Sequence, residues 1–110
     1  MLMIYCAIEL EQFLAQHPGV LLLYGGQHCG VCQTLKPRLM ELVTKQFPLL
    51  QTAYIDCQGN GETLCAQQRI MTLPVVQIWF DGQRFSEFYK VFSIADIQEA
   101  LSRPYELRFG

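Results

Sequence analysis

Charged side chains are scarce in this sequence. They make up 16% of its 110 residues, and 8 basic against 10 acidic groups leave a formal net charge of −2. No run of Lys or Arg occurs, so the chain offers no electrostatic footprint for nucleic acid or an anionic lipid membrane. Long apolar stretches are missing as well. Val20–Tyr24 is a strong apolar run, but it falls far short of the ~20 residues that a helix needs to cross a bilayer. Met1–Cys6 carry no basic segment and no small-residue cleavage site after an apolar stretch, so a cytoplasmic chain without a secretion signal is expected. Repeats, low-complexity tracts and linkers are also lacking, and residues 1–110 are expected to form one domain. An apolar content of 51% excludes disorder.

Cysteine, by contrast, is plentiful. Five residues is an odd number, so full pairing within one chain is ruled out. In a reducing compartment, close-spaced thiols are more often catalytic or metal-binding than structural. Only Cys29 and Cys32 show a recognisable spacing, within His28-Cys29-Gly30-Val31-Cys32.

Punctuation and hydrophobic period divide the rest. Leu2–Cys6 leans toward strand. Ile8, Leu10, Phe13 and Leu14 recur near helical spacing until His17-Pro18-Gly19 stops them. Val20–Tyr24 suits a strand buried on both faces, and Gly25-Gly26 ends it. A helix from about Cys29 to Phe47 gathers Val31, Leu35, Leu39, Leu42 and Val43 on one face, with Pro37 expected to kink it. Leu49–Ile55 reads as a strand and residues 59–68 as a weak helix. Val75–Phe80 and Arg84–Lys90 form a hairpin through the Asp81-Gly82 turn. Ile94–Leu101 closes the chain as a helix, with Ser93 or Asp96 at its start. The order β-α-β-α-β-α-β-β-α predicts an α/β fold, a mixed, mostly parallel central sheet with helices on both faces.

The cysteine pair falls where a buried strand hands over to a helix. Free N–H groups and the positive end of the helix dipole stabilise a thiolate there, which favours Cys29. Cys32 lies one turn on along the same face, so the two sulfurs can close and reopen a small disulfide ring. Cys29 is then the attacking nucleophile and Cys32 the shielded resolving thiol. Two other uses stand beside this one. A zinc site would need further ligands, whereas Cys57 and Cys65 are eight apart and only His17 and His28 supply imidazole. Inert buried cysteines would sit better within an element than at a helix start after Gly-Gly.

The strand–turn–CGVC–helix arrangement resembles the thioredoxin family, as do Pro37 five residues after Cys32 and Thr72-Leu73-Pro74 before a strand. The likeness runs from Leu2 to about Leu101 and includes Asp56 and Asp81-Gly82. It implies the thioredoxin fold and a cis Pro74 facing the sulfurs, with the backbone of Thr72 and Leu73 free to pair with an extended substrate. It also implies disulfide-containing protein substrates and recharging by an NADPH-linked thioredoxin reductase or by glutathione. No metal or organic cofactor is expected, because the sulfurs carry two electrons themselves.

Three departures from the family pattern matter. Leu23 stands where a buried aspartate is usual, and Thr52 where its lysine partner would be. Both halves of a buried charged pair are thus absent together, which puts fast resolution by Cys32 in doubt. His28 replaces the usual tryptophan and, as imidazolium, would favour the Cys29 thiolate; a solvated loop histidine with no electronic role is the other reading. Gly30-Val31 replaces Gly-Pro and leaves an extra N–H near the sulfurs. Both changes push toward a more oxidising couple.

Cys57 and Cys65 could pair under oxidation, but are read here as buried apolar residues, and Cys6 as part of the first strand's core. Trp79, Phe80, Phe85, Phe88 and Phe92 read as sheet packing at period two. The segment Arg103–Gly110 carries no signal. The expected function is thiol–disulfide exchange that reduces protein disulfides. The alternative is a thioredoxin-fold binding module or redox sensor that uses the same groove without turnover.

Overall fold

A computed structural model describes residues 1–110. The elements, in chain order, are β1 (Leu2–Met3), α1 (Ala7–Gln16), β2 (Gly19–Gly25), α2 (Gly30–Gln46), β3 (Gln51–Asp56), α3 (Glu62–Gln67), β4 (Val75–Phe80), β5 (Gln83–Tyr89) and α4 (Ile94–Phe109). The five strands form one sheet in the order β1-β3-β2-β4-β5. β1, β3 and β2 run parallel, while β4 is antiparallel to both β2 and β5. This is the α/β architecture that the element order predicts.

Every residue of β2 is buried, because the strand is central and both its faces are covered. Leu21 and Leu23 join Leu35, Leu39 and Leu42 of α2 and Ile97 and Leu101 of α4 on one face. Leu22 and Tyr24 join Leu10 and Phe13 of α1 and Leu64 of α3 on the other. The strand's alternation therefore divides the interior into two layers and fixes which helices lie together. No helix is long and apolar enough to cross a membrane.

The Asp81-Gly82 turn forms as expected, with φ of 51° and 79° at its two residues, the left-handed pair that a tight hairpin requires. Beyond it, Ile78 pairs with Ser86 but Trp79 pairs with Arg84, so Phe85 is the extra residue of a bulge. Period two therefore fails at Phe85, which is exposed and meets Phe80 edge to face.

Three other expectations need correction, while the one for Ser93 and Asp96 at the start of α4 holds. β1 covers two residues, and Cys6 is exposed at the start of α1 rather than buried in a strand. Cys57 and Cys65 are joined in a disulfide that ties the end of β3 to α3. Ser93 and Asp96 both cap α4, in a reciprocal box with bonds of 2.8 and 3.1 Å. α4 itself continues eight residues past Leu101 through Pro104. Tertiary contacts offset the hydrogen bond lost at the proline. Tyr105 and Phe109 pack against the core, the Tyr105 hydroxyl accepts from Leu49 N at 3.1 Å, and Arg108 grips Asp81 through two nitrogens.

Candidate active site

β2 delivers the chain into Gly25-Gly26, and neither position tolerates a side chain. A Cβ at Gly25 would meet the Tyr54 hydroxyl at 2.9 Å and Cys32 Cβ at 3.2 Å, and one at Gly26 would overlap the Gln58 side chain. The loop is pinned from the end of β3. Cys57 N donates to Gly25 O at 2.8 Å, and His28 N donates to Gln58 Oε1 at 2.7 Å. His28 itself is exposed. From α2, the Gln33 side-chain amide donates to Gly26 O at 3.0 Å.

Cys29 is the N-cap of α2, in extended backbone, and its sulfur accepts the Cys32 N–H at 3.2 Å. Helix-terminal N–H groups stabilise negative charge at such a sulfur. Cys29 and Cys32 are disulfide-bonded, with Cα atoms 5.2 Å apart. Cys29 is half-buried, whereas Cys32 is wholly enclosed. An incoming thiol or disulfide therefore reaches Cys29 and not Cys32. Gly30 and Val31 between them face solvent.

The Leu73–Pro74 peptide bond is cis. Tyr24 pairs with Val75 across β2 and β4, so Pro74 stands level with Gly25, where the cysteine loop departs. Pro74 is buried, Leu73 half-buried and Thr72 exposed. Beside the sulfurs, Gly30, Val31, Leu35, Phe92 and Ile94 line a cleft of about 750 Å³ with Arg38 at its edge. No group of three His, Cys, Asp or Glu side chains is placed to hold a metal ion.

Leu23 lies fully buried beneath the site, and Thr52 directs its hydroxyl to Met40 Sδ at 3.6 Å. Neither supplies an acid or base. What reaches this region instead is Tyr54, whose ring carries Lys36 Nζ 4.3 Å from its centroid. Burial holds the Tyr54 phenol above its usual value; nearby Asp56 adds to this, and the Gln33 side chain opposes it. Sequence reasoning missed Tyr54, Gln33, Lys36 and Gln58. For Tyr54 a signal existed, since period two counted back from Asp56 puts Thr52 and Tyr54 on one face of β3.

The Thioredoxin family profile matches residues 4–103. Thioredoxin-like protein YdfQ of Bacillus subtilis is 24% identical over 107 residues, 97% of this chain and 94% of that protein. Protein disulfide-isomerase EUG1 of Saccharomyces cerevisiae is 32% identical over 104 residues, covering 89% of this chain but only 19% of that longer protein. Among solved structures, Fasciola hepatica thioredoxin superposes with a TM-score of 0.82 at 21% identity, over 94% of this chain and 98% of that one. The fold, the cysteine pair at the head of α2 and the profile match over most of its length agree: the chain belongs to the thioredoxin family of thiol–disulfide oxidoreductases.

Proposed function

We propose that the chain reduces protein disulfides, with Cys29 as nucleophile and Cys32 as resolving thiol. The observation that carries this reading is the asymmetry of the pair. The reachable sulfur receives the helix N–H and the enclosed sulfur lies one turn behind it. In the forward reaction the Cys29 thiolate attacks a substrate disulfide, forms a mixed disulfide and expels one substrate thiolate. Cys32 then attacks Cys29, expels the second and leaves the pair oxidised.

Thr72, Leu73 and Pro74 are assigned to substrate binding. The position of Pro74 opposite Gly25, one residue beyond the Tyr24–Val75 pair, supports this reading, and Met71, Val31 and Val91 are exposed apolar side chains that a partner could cover. Main-chain pairing to an extended segment accepts many sequences, which suits a general substrate class of disulfide-bearing proteins. His28, Gly30 and Val31 are assigned to tuning the couple. The compartment is cytoplasmic, where an NADPH-linked thioredoxin reductase or glutathione would return the pair to the dithiol.

The second reading is a binding module without turnover, favoured by the absence of an acid at Leu23. A redox titration in glutathione buffers with thiol trapping, together with Cys32→Ser, separates the two. A reductase gives one reversible two-electron transition at Cys29–Cys32, and Cys32→Ser accumulates mixed disulfides through Cys29. A binding module gives neither.

A further inference from the structure

Resolution asks more of Cys32 than its surroundings first offer. In the reading above, on which this inference rests, Cys32 must lose its proton before it can displace substrate from Cys29. Enclosure among apolar groups raises a thiol's pKa, and Cys32 is fully enclosed. Few polar groups face it. Leu23 and Gly25 on β2 bring none. In the loop, His28 is exposed and Cys29 is itself engaged in the mixed disulfide. At the end of β3, Asp56 turns to its own loop, its Oδ1 accepting Gln58 N at 3.0 Å and its Oδ2 lying against Gly59. On α2, Lys36 has its ammonium over the Tyr54 ring. Tyr54 remains.

Two geometric facts bring the phenol to Cys32. Leu23 and Tyr54 are register partners in the β2–β3 ladder, so Tyr54 stands on the same face, one strand over from the place an acid would occupy. The space above Gly25 is bordered by both groups, with the Tyr54 hydroxyl 2.9 Å and Cys32 Cβ 3.2 Å from where a glycine-replacing Cβ would lie. Only glycine leaves this gap open. A phenol is protonated at neutral pH, so the Tyr54 hydroxyl is available there as a donor.

We propose that the Tyr54 hydroxyl holds the Cys32 thiolate by O–H donation and thereby serves the resolving step in the absence of a buried acid. The Cys32 proton passes to solvent, and the phenol hydrogen bond stabilises the anion left behind. Cys32 Sγ then bonds to Cys29 Sγ, the bond from Cys29 to the substrate sulfur breaks, and that sulfur leaves with the electron pair and takes a proton from solvent. The enzyme pair is oxidised by two electrons and the substrate disulfide is reduced by two.

The test is stopped-flow reaction of the reduced protein with 5,5′-dithiobis(2-nitrobenzoate) in a Cys6→Ser, Cys57→Ala, Cys65→Ala background, which removes the exposed free thiol and the second pair, so that the first thiolate release reports Cys29 attack and the second reports resolution by Cys32. Tyr54→Phe should leave the first phase within about twofold and slow the second about tenfold at pH 7, the worth of one hydrogen bond to a charged group. The gap should close above about pH 10, where Cys32 ionises without help. A second phase that is unchanged, or slowed equally at every pH as by a structural defect, overturns the proposal. A measurement with Tyr54 in place covers the case where Tyr54→Phe does not fold. In Cys29→Ser on the same background, where Cys32 is the one thiol left, thiolate absorbance at 240 nm should place it at or below the ordinary thiol value of about 8.5 despite its burial, and a value well above it overturns the assignment. Absence of the first release from that background with Tyr54 in place would instead defeat the disulfide-exchange reading, and the proposal with it.

Discussion

Tyr24 is the one buried side chain whose polar atom finds no protein partner. It sits near the end of β2, flanked by Ile55 and Val75 in the neighbouring strands, and is fully enclosed. The polar groups nearby are already committed: Trp79 Nε1 donates to Gln77 Oε1, and Gln77 Nε2 donates to Glu87 Oε2. An unsatisfied buried hydroxyl costs roughly 1–3 kcal/mol. Tyr24→Phe removes it at the loss of one packed oxygen, so a net gain of about 1 kcal/mol is expected at neutral pH. With an unfolding entropy of ~2.1 cal/mol/K per residue, that gain is about 4 °C in Tm for a chain of this length. The pH dependence is the sharper test. Burial, with the Glu87 carboxylate adding and Arg84 opposing, pushes the Tyr24 phenol from 10.0 up to about 12. The raised value means that the folded state keeps the proton while the unfolded chain ionises. The contribution is therefore complete below pH 10 and is lost progressively as the pH rises toward 12. By pH 11 the parent protein should have lost about 1.4 kcal/mol from this source, and Tyr24→Phe none. Urea melts of both proteins at pH 7, 10 and 11 give the comparison. A variant less stable than its parent at pH 7, or an advantage that does not widen with pH, would refute the reasoning.

The Cys57–Cys65 disulfide closes a loop of sequence separation 8, and replacing both residues by alanine should cost about 2.5 kcal/mol, or about 10 °C in Tm, in non-reducing thermal melts. Alkylation of the fully oxidised, denatured protein should label Cys6 alone; labelling at three positions would show that the second bridge does not form. The Arg108 guanidinium holds the exposed Asp81 carboxyl below its ordinary value, so this pair helps above that value, about 3.9, and its help disappears as the pH falls through the lowered one. Arg108→Ala should leave Tm nearly unchanged but speed amide exchange over the last turn of α4, and the difference from the parent should vanish in acid and shrink in high salt.

The parts of this molecule that sequence reasoning reached are those fixed by local rules. An apolar run between turn residues placed β2, Asp-Gly placed the β4–β5 hairpin, and Cys-x-x-Cys after Gly-Gly placed the redox pair at a helix start. Each depends on neighbours a few residues away. The parts it missed depend on partners far along the chain. Pro104 is a stop signal by every local criterion, and α4 runs through it because Asp81 and Leu49 hold its last two turns. Phe85 fits period two until the bulge against Trp79 shifts it. Cys57 and Cys65 carry no spacing rule, and only the packing of α3 beside the end of β3 brings them together. Tyr54 is the same case at the functional site. Its own segment says no more than that it faces inward. That its hydroxyl and Cys32 Cβ both border one gap follows from a glycine 29 positions earlier, because a side chain of any size at Gly25 would fill that space. The departure at Leu23 was readable as a loss. The phenol proposed to compensate for it lies on the next strand, and only the β2–β3 register brings it level with Leu23.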